Sequence, residues 1–197
     1  WERIMEVSVA DLKKNYGALD VHFDLWKGES DADPYIPKLI SILEEKKLCY
    51  RSQGALVVDI TEEGDSKEYP PCMIQKSDGA SLYATSDLGT IMDREEHYPK
   101  DWYLYIADSR QALHYTQFFR VARRAELIPK ETELSYIGFG TMNGKDGKPF
   151  KTREGGVLRL EHLISETKDT VLKRMEESKD NGLSQAEKEE TSKENPD

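Results

Sequence analysis

Long apolar runs are missing from this 197-residue chain. No stretch approaches the ~18 consecutive apolar residues of a membrane-crossing helix. The opening Trp1-Glu2-Arg3-Ile4-Met5-Glu6 carries neither a basic nor an apolar leader segment, so no signal peptide is visible. It also lacks an initiator Met, so the chain is expected to begin inside a longer protein. Cysteine is scarce. Cys49 and Cys72 have no metal-ligand spacing and form no disulfide framework, which favours a reducing compartment, and a cytoplasmic location is expected. Positive charge is in deficit, with 28 basic against 38 acidic residues and a net charge of −10. That balance counts against a general nucleic-acid coat and against DNA as a partner, while leaving room for a local basic patch. His22, His97 and His162 have no partners at metal-ligand spacing, and Gly-x-Ser-x-Gly is absent. A protein-held metal centre and a hydrolase nucleophile elbow therefore have no support. What is present, 37% hydrophobic and 34% charged residues, is too rich in core material for a disordered chain.

The apolar spacing predicts a helix over 2–16, ended by Asn15-Tyr16-Gly17, and a second over 35–48 started by Asp33-Pro34. Gly54-Ala55-Leu56-Val57-Val58-Asp59-Ile60 reads as a strand with Cys72-Met73-Ile74-Gln75 as its returning partner, so 48–80 is expected to be a small β insertion. Ser81–Thr85 reads as a short strand, with Ser86 capping a helix from Asp87 to about His97. Residues 101–107, aromatic and β-branched, resemble a strand buried in a parallel sheet. A helix over about 111–126, a strand over 134–139, a glycine-rich loop and a helix over about 160–175 follow. That alternation signals an α/β fold with a parallel sheet and flanking helices. From Glu176 to Asp197 eight acids face three lysines and Leu183 is the only large apolar residue, the composition of a solvated linker.

Three segments carry chemistry. Between Gly138 and Gly156 lie six of the thirteen glycines and four cations, Lys145, Lys148, Lys151 and Arg153. Glycines admit a ligand close to the backbone and the cations suit phosphate, although this is not a Walker loop. A hairpin turn at Asn143-Gly144 with incidental lysines is the structural alternative. In the second segment, Asp108–His114, Gln111 and His114 sit three apart and share a helix face at the carboxyl end of a strand. They suit a polar substrate, or simply a capped helix with a satisfied histidine. The third, Tyr83-Ala84-Thr85-Ser86-Asp87, places a carboxylate at a strand-to-helix junction. There Asp87 either complements the helix dipole or grips a cation, a guanidinium fitting it as a bidentate fork.

In this order the three motifs, Leu82–Gly89, Asp108–His114 and Gly144–Gly156, closely resemble those of the arginyl-tRNA synthetases, a class I aminoacyl-tRNA synthetase family. The resemblance runs from about residue 1 to about 170 and takes in His22-Phe23-Asp24 through Glu29-Ser30. It implies a partial Rossmann-like class I fold and an ATP-dependent activation of L-arginine followed by transfer to tRNA(Arg), with Mg2+ accompanying the ATP. It assigns Tyr83, Asp87 and Gln111 to the arginine, and His114 and the Gly140-Thr141-Met142 backbone to the ATP side. Lys151, Thr152 and Arg153 fall in the catalytic loop that clamps phosphates; the first lysine of its usual Lys-Met-Ser-Lys pattern is missing here and the second is Arg153. No His-x-Gly-His occurs in the chain. Residues 1–170 are therefore expected to be the later part of a catalytic domain, inactive alone. Residues 171–197 would be a helical connector and acidic tail leading toward an anticodon-binding domain. A non-catalytic, arginine-binding regulatory relative with the same fold is the alternative.

Overall fold

Leu39 and Leu43, four apart and fully buried, show the helical period of the second helix turned inward on the core. A computed structural model describes residues 2–141 and 160–177 of the chain. Its elements run α1 (Glu2–Ala18), α2 (Ile36–Glu45), β1 (Cys49–Ser52), β2 (Ala55–Val58), β3 (Cys72–Gln75), α3 (Tyr83–His97), β4 (Trp102–Asp108), α4 (Ala112–Arg124), β5 (Glu133–Phe139) and α5 (Leu160–Glu177). Short 3-10 helices precede α2 (Glu29–Tyr35) and α4 (Ser109–Gln111). Residues 25–141 form one compact unit, and α1 and α5 belong to another. In the latter, Lys14 Nζ lies 2.9 Å from Glu161 Oε1, and Tyr16 meets Phe23 edge to face. No described helix is long and apolar enough to cross a membrane.

The α/β expectation holds, with two strands in the parallel sheet among the described residues. β4 and β5 pair parallel from Trp102↔Glu133 to Asp108↔Phe139. The inner face of this sheet, Tyr103, Tyr105, Leu134 and Tyr136, is turned to α4, where Tyr105 packs against Tyr115, Phe118 and Phe119 with centroids 5.3–5.5 Å apart. The expectation that residues 101–107 are buried holds only for that face: Trp102 is 55% and Ile106 65% exposed.

The β region expected at 48–80 is a three-stranded antiparallel sheet in the order β1-β2-β3. β1 is an addition, since Cys49–Ser52 is mostly exposed and has no apolar alternation to announce it. It turns into β2 through Gln53 and Gly54, both at positive φ (49° and 82°), a hairpin geometry that favours glycine. This sheet shares one core with the helices: Leu56, Val58, Ile60, Cys72 and Ile74 pack with Leu88, Ile91, Phe118 and Val121. The long return to β3 is tied to α4 by Arg120, whose guanidinium donates to both Asp65 oxygens (2.6 and 2.8 Å) and to Ile60 O. That guanidinium, helped by the Glu62 N–H, holds the Asp65 carboxyl down at about 2.

The start of α3 corrects the sequence reading. Residues 81–85 do not form a strand beyond a single bridge, Gln75↔Ser81. The helix begins at Tyr83, four residues before Asp87, with Leu82 extended at the N-cap. Ser86 therefore lies inside the helix rather than capping it. The reason is tertiary: the fully buried Thr85 hydroxyl donates to Ile74 O of β3, and Thr85 Oγ1 accepts Leu82 N–H at 3.4 Å. A β-branched residue that favours strands in isolation is here satisfied inside the first turn of a helix. Further along α3, a Cβ on Gly89 would stand 3.0 Å from Ala32 O and 3.2 Å from Ala32 Cβ. Glycine is what lets the 3-10 segment lie this close to the helix.

Candidate functional site

Starting α3 at Tyr83 puts Tyr83, Ser86, Asp87, Thr90 and Arg94 on one stripe at i, i+3, i+4, i+7 and i+11. That stripe forms one wall of a cleft of about 920 Å³; Gln111, His114, Tyr115 and Gln117 of α4 and its lead-in form another, and Lys27, Gly28 and Glu29 complete the lining. α4 starts just past the carboxyl end of β4, the edge at which open α/β sheets receive ligands.

At the centre, His114 Nε2 lies 2.5 Å from Asp87 Oδ2, with side chains 23% and 36% exposed. A carboxylate only accepts, so the imidazole donates from Nε2. The sequence spacing brought Gln111 and His114 to one face, and the fold adds Asp87 from 27 residues earlier. Tyr83 lines the cleft one turn before Asp87 and is 75% exposed, an open rather than enclosed aromatic. His114 is seated on aromatic rings: Tyr115 at 5.3 Å and Phe118 at 5.1 Å. Tyr115 in turn stacks on Tyr136 of β5 at 4.3 Å and 13°. Burial pushes the neighbouring Tyr105 hydroxyl up to about 12, opposed by the Arg94 guanidinium that donates to it at 3.0 Å.

Two of the three cations in the lining are already matched by carboxylates outside it. Lys27 pairs with Asp93, and Arg110 forks onto Asp108 with two 2.8 Å bonds. Burial of Asp93 raises its carboxyl, but the hydrogen bond and charge of Lys27 outweigh that, leaving it below the usual carboxylate range. Asp108 is held at about 2, first by the Arg110 side chain and then by the Arg110 N–H. The carboxylates of the lining itself are Asp87 and Glu29; Glu29 accepts the Ser86 hydroxyl at 3.1 Å.

Of the other expected site residues, Thr141 places its hydroxyl 3.4 Å from Asp108 Oδ2, and Gly140 has open space where a Cβ would stand. Met142, Lys151, Thr152 and Arg153, with the rest of the glycine-rich loop and the acidic tail after Glu177, lie outside the described residues. Sequence reasoning missed Ser86, Thr90, Arg94, Lys27 and Glu29 as lining. Ser86 and Thr90 become readable as the i+3 companions of Tyr83 and Asp87, and Arg94 as the i+7 companion of Asp87, once the helix is started at the right residue; Lys27 and Glu29 come from a segment with no periodicity to mark it.

This is an α/β domain with a carboxylate-bearing cleft at the carboxyl edge of parallel strands. The family model for the catalytic domain of class I (R) tRNA synthetases matches residues 1–195, and the chain belongs to that family. It is 55% identical over 194 residues to an arginine–tRNA ligase of Agathobacter rectalis, covering 96% of this chain and 32% of that protein. It is 49% identical to one of Alkaliphilus oremlandii, covering 90% and 30% respectively. The chain thus spans about a third of the length of these curated relatives. In structure it resembles the arginyl-tRNA synthetase of Plasmodium falciparum, with a TM-score of 0.76 at 21% identity over 98% of this chain and 31% of that one. The Thermus thermophilus arginyl-tRNA synthetase gives 0.66 at 16% identity, over 92% and 35%. At these identities the likeness bears on the fold.

Proposed function

We propose that this chain is the arginine-gripping part of the catalytic domain of a cytoplasmic arginine–tRNA ligase. The observation that carries the reading is Asp87, a partly exposed carboxylate in a cleft, paired to His114 and flanked by Tyr83 and Gln111. A guanidinium binds such a carboxylate as a planar fork with two charge-assisted bonds. Lysine offers only a point charge and citrulline no charge, so either leaves Asp87 poorly matched. Tyr83 would lie against the guanidinium, and Gln111 would orient the substrate's polar groups.

ATP would lie along Gly140, Thr141 and Met142, with Lys151, Thr152 and Arg153 at its phosphates and His114 between the two substrates. The arginine carboxylate attacks the α-phosphate and pyrophosphate leaves, giving arginyl-adenylate; a hydroxyl of tRNA(Arg) then takes the arginyl group and AMP leaves. No side chain acts as nucleophile, so the residues work by positioning and by stabilising developing charge. Mg2+ would enter with ATP and neutralise phosphate charge. Residues 171–197 would connect to an anticodon-binding domain, and the chain alone would lack part of its ATP site.

The test is arginylation by the full-length protein that contains this chain, with ATP, Mg2+, labelled arginine and bulk tRNA. Label is expected in acid-insoluble tRNA. A folded full-length protein that transfers none would contradict the reading and point to an arginine-binding module.

A further inference from the structure

Resting on that reading, we infer that His114 is a positioning residue for the Asp87 carboxylate: it holds Asp87 in the orientation that receives the guanidinium. The contact is direct, 2.5 Å between His114 Nε2 and Asp87 Oδ2. An ionised carboxylate offers about four lone-pair sites on its two oxygens. One histidine bond occupies a single site and leaves the others for a two-pronged donor, while removing the carboxylate's freedom to rotate. The imidazole is itself fixed. Its ring packs against Tyr115 and the fully buried Phe118, and Tyr115 is stacked on Tyr136, whose hydroxyl donates to Asp108 O at 2.7 Å. A chain of packed rings thus runs from the parallel sheet to His114 and, through one hydrogen bond, to Asp87.

Among the described residues, the contacts of His114 are with Asp87 and with these rings. An exposed acid on a helix surface would sample several rotamers, each of which must be abandoned when a fork of donors binds. Holding one rotamer in advance removes that cost and sharpens discrimination against ligands that cannot use both oxygens.

The experiment is steady-state arginylation by the full-length protein with His114→Leu and His114→Gln, varying arginine and ATP separately. Leucine keeps most of the packing volume and removes the donor; glutamine places an amide nitrogen near the position of Nε2. His114→Leu is expected to lower kcat/KM for arginine roughly 10- to 100-fold, the scale of one charge-assisted hydrogen bond, with KM for ATP within about twofold. His114→Gln is expected to recover most of the loss. The double variant His114→Leu/Asp87→Asn should fall little below Asp87→Asn alone, because one interaction is removed in either order. The assignment is overturned if His114→Leu raises KM for ATP and leaves arginine untouched, if glutamine gives no recovery, or if the two substitutions add fully. Wild-type protein without any arginylation overturns the function reading and this assignment with it, a result distinct from all three.

Discussion

Replacing Asp87 with asparagine in the full-length protein is expected to lower kcat/KM for arginine by about 30- to 1000-fold, or roughly 2–4 kcal/mol, the range for removing one partner of a desolvated charge pair. Asparagine is nearly isosteric, and its amide oxygen can still accept from His114, so α3 and the cleft wall keep their shape. What changes is that one carboxylate oxygen becomes an NH2, which faces the guanidinium's own donors. The loss therefore falls on arginine, with KM for ATP within about twofold. Steady-state kinetics with each substrate varied in turn checks both halves. An unchanged kcat/KM for arginine would remove Asp87 from the site.

The second large effect lies under the site. Phe118→Ala is expected to destabilise the chain by about 3–5 kcal/mol, the usual range for emptying a fully buried aromatic position. Phe118 is completely inaccessible and meets Tyr105, Tyr115, Phe119 and His114 with centroids 4.7–5.5 Å apart. These rings join α4 to the inner face of the parallel sheet, so the cavity opens where two layers meet and has little room to collapse. Against a typical total stability of 5–15 kcal/mol this is a major loss. Urea unfolding of the 197-residue chain followed by circular dichroism reads it as a fall in the midpoint. Phe118→Leu should cost much less, because most of the volume is kept. A change below about 1 kcal/mol for the alanine variant would mean that the ring cluster does not hold the two layers together.

The two substitutions also mark how far the sequence alone reaches. The helical spacing of Leu39 and Leu43 and the apolar run of β4 were legible because period and composition are local properties. The motif residues Tyr83, Asp87, Gln111 and His114 were legible as a family pattern, and all four line one cleft. The start of α3 is not legible because Thr85 looks like a strand residue; its hydroxyl meets Ile74 O only with β3 folded beside it. β1 escaped notice because an exposed, polar edge strand leaves no alternation. The pairing of His114 with Asp87 was invisible for the same reason as the Thr85 contact. It joins residues 27 apart through packing of α3 against α4, and no periodicity encodes which face of one helix meets which face of another.

Selection of a guanidinium by the cleft is expected to run through Asp87. The most direct measurement is tRNA charging by the full-length protein with arginine, lysine and citrulline compared at equal concentration and by kcat/KM. Efficient charging is expected with arginine, and kcat/KM values lower by at least a factor of about 100 for lysine and citrulline, since each leaves the carboxylate with an incomplete partner. Comparable charging with citrulline, which keeps the shape and loses the charge, would contradict it.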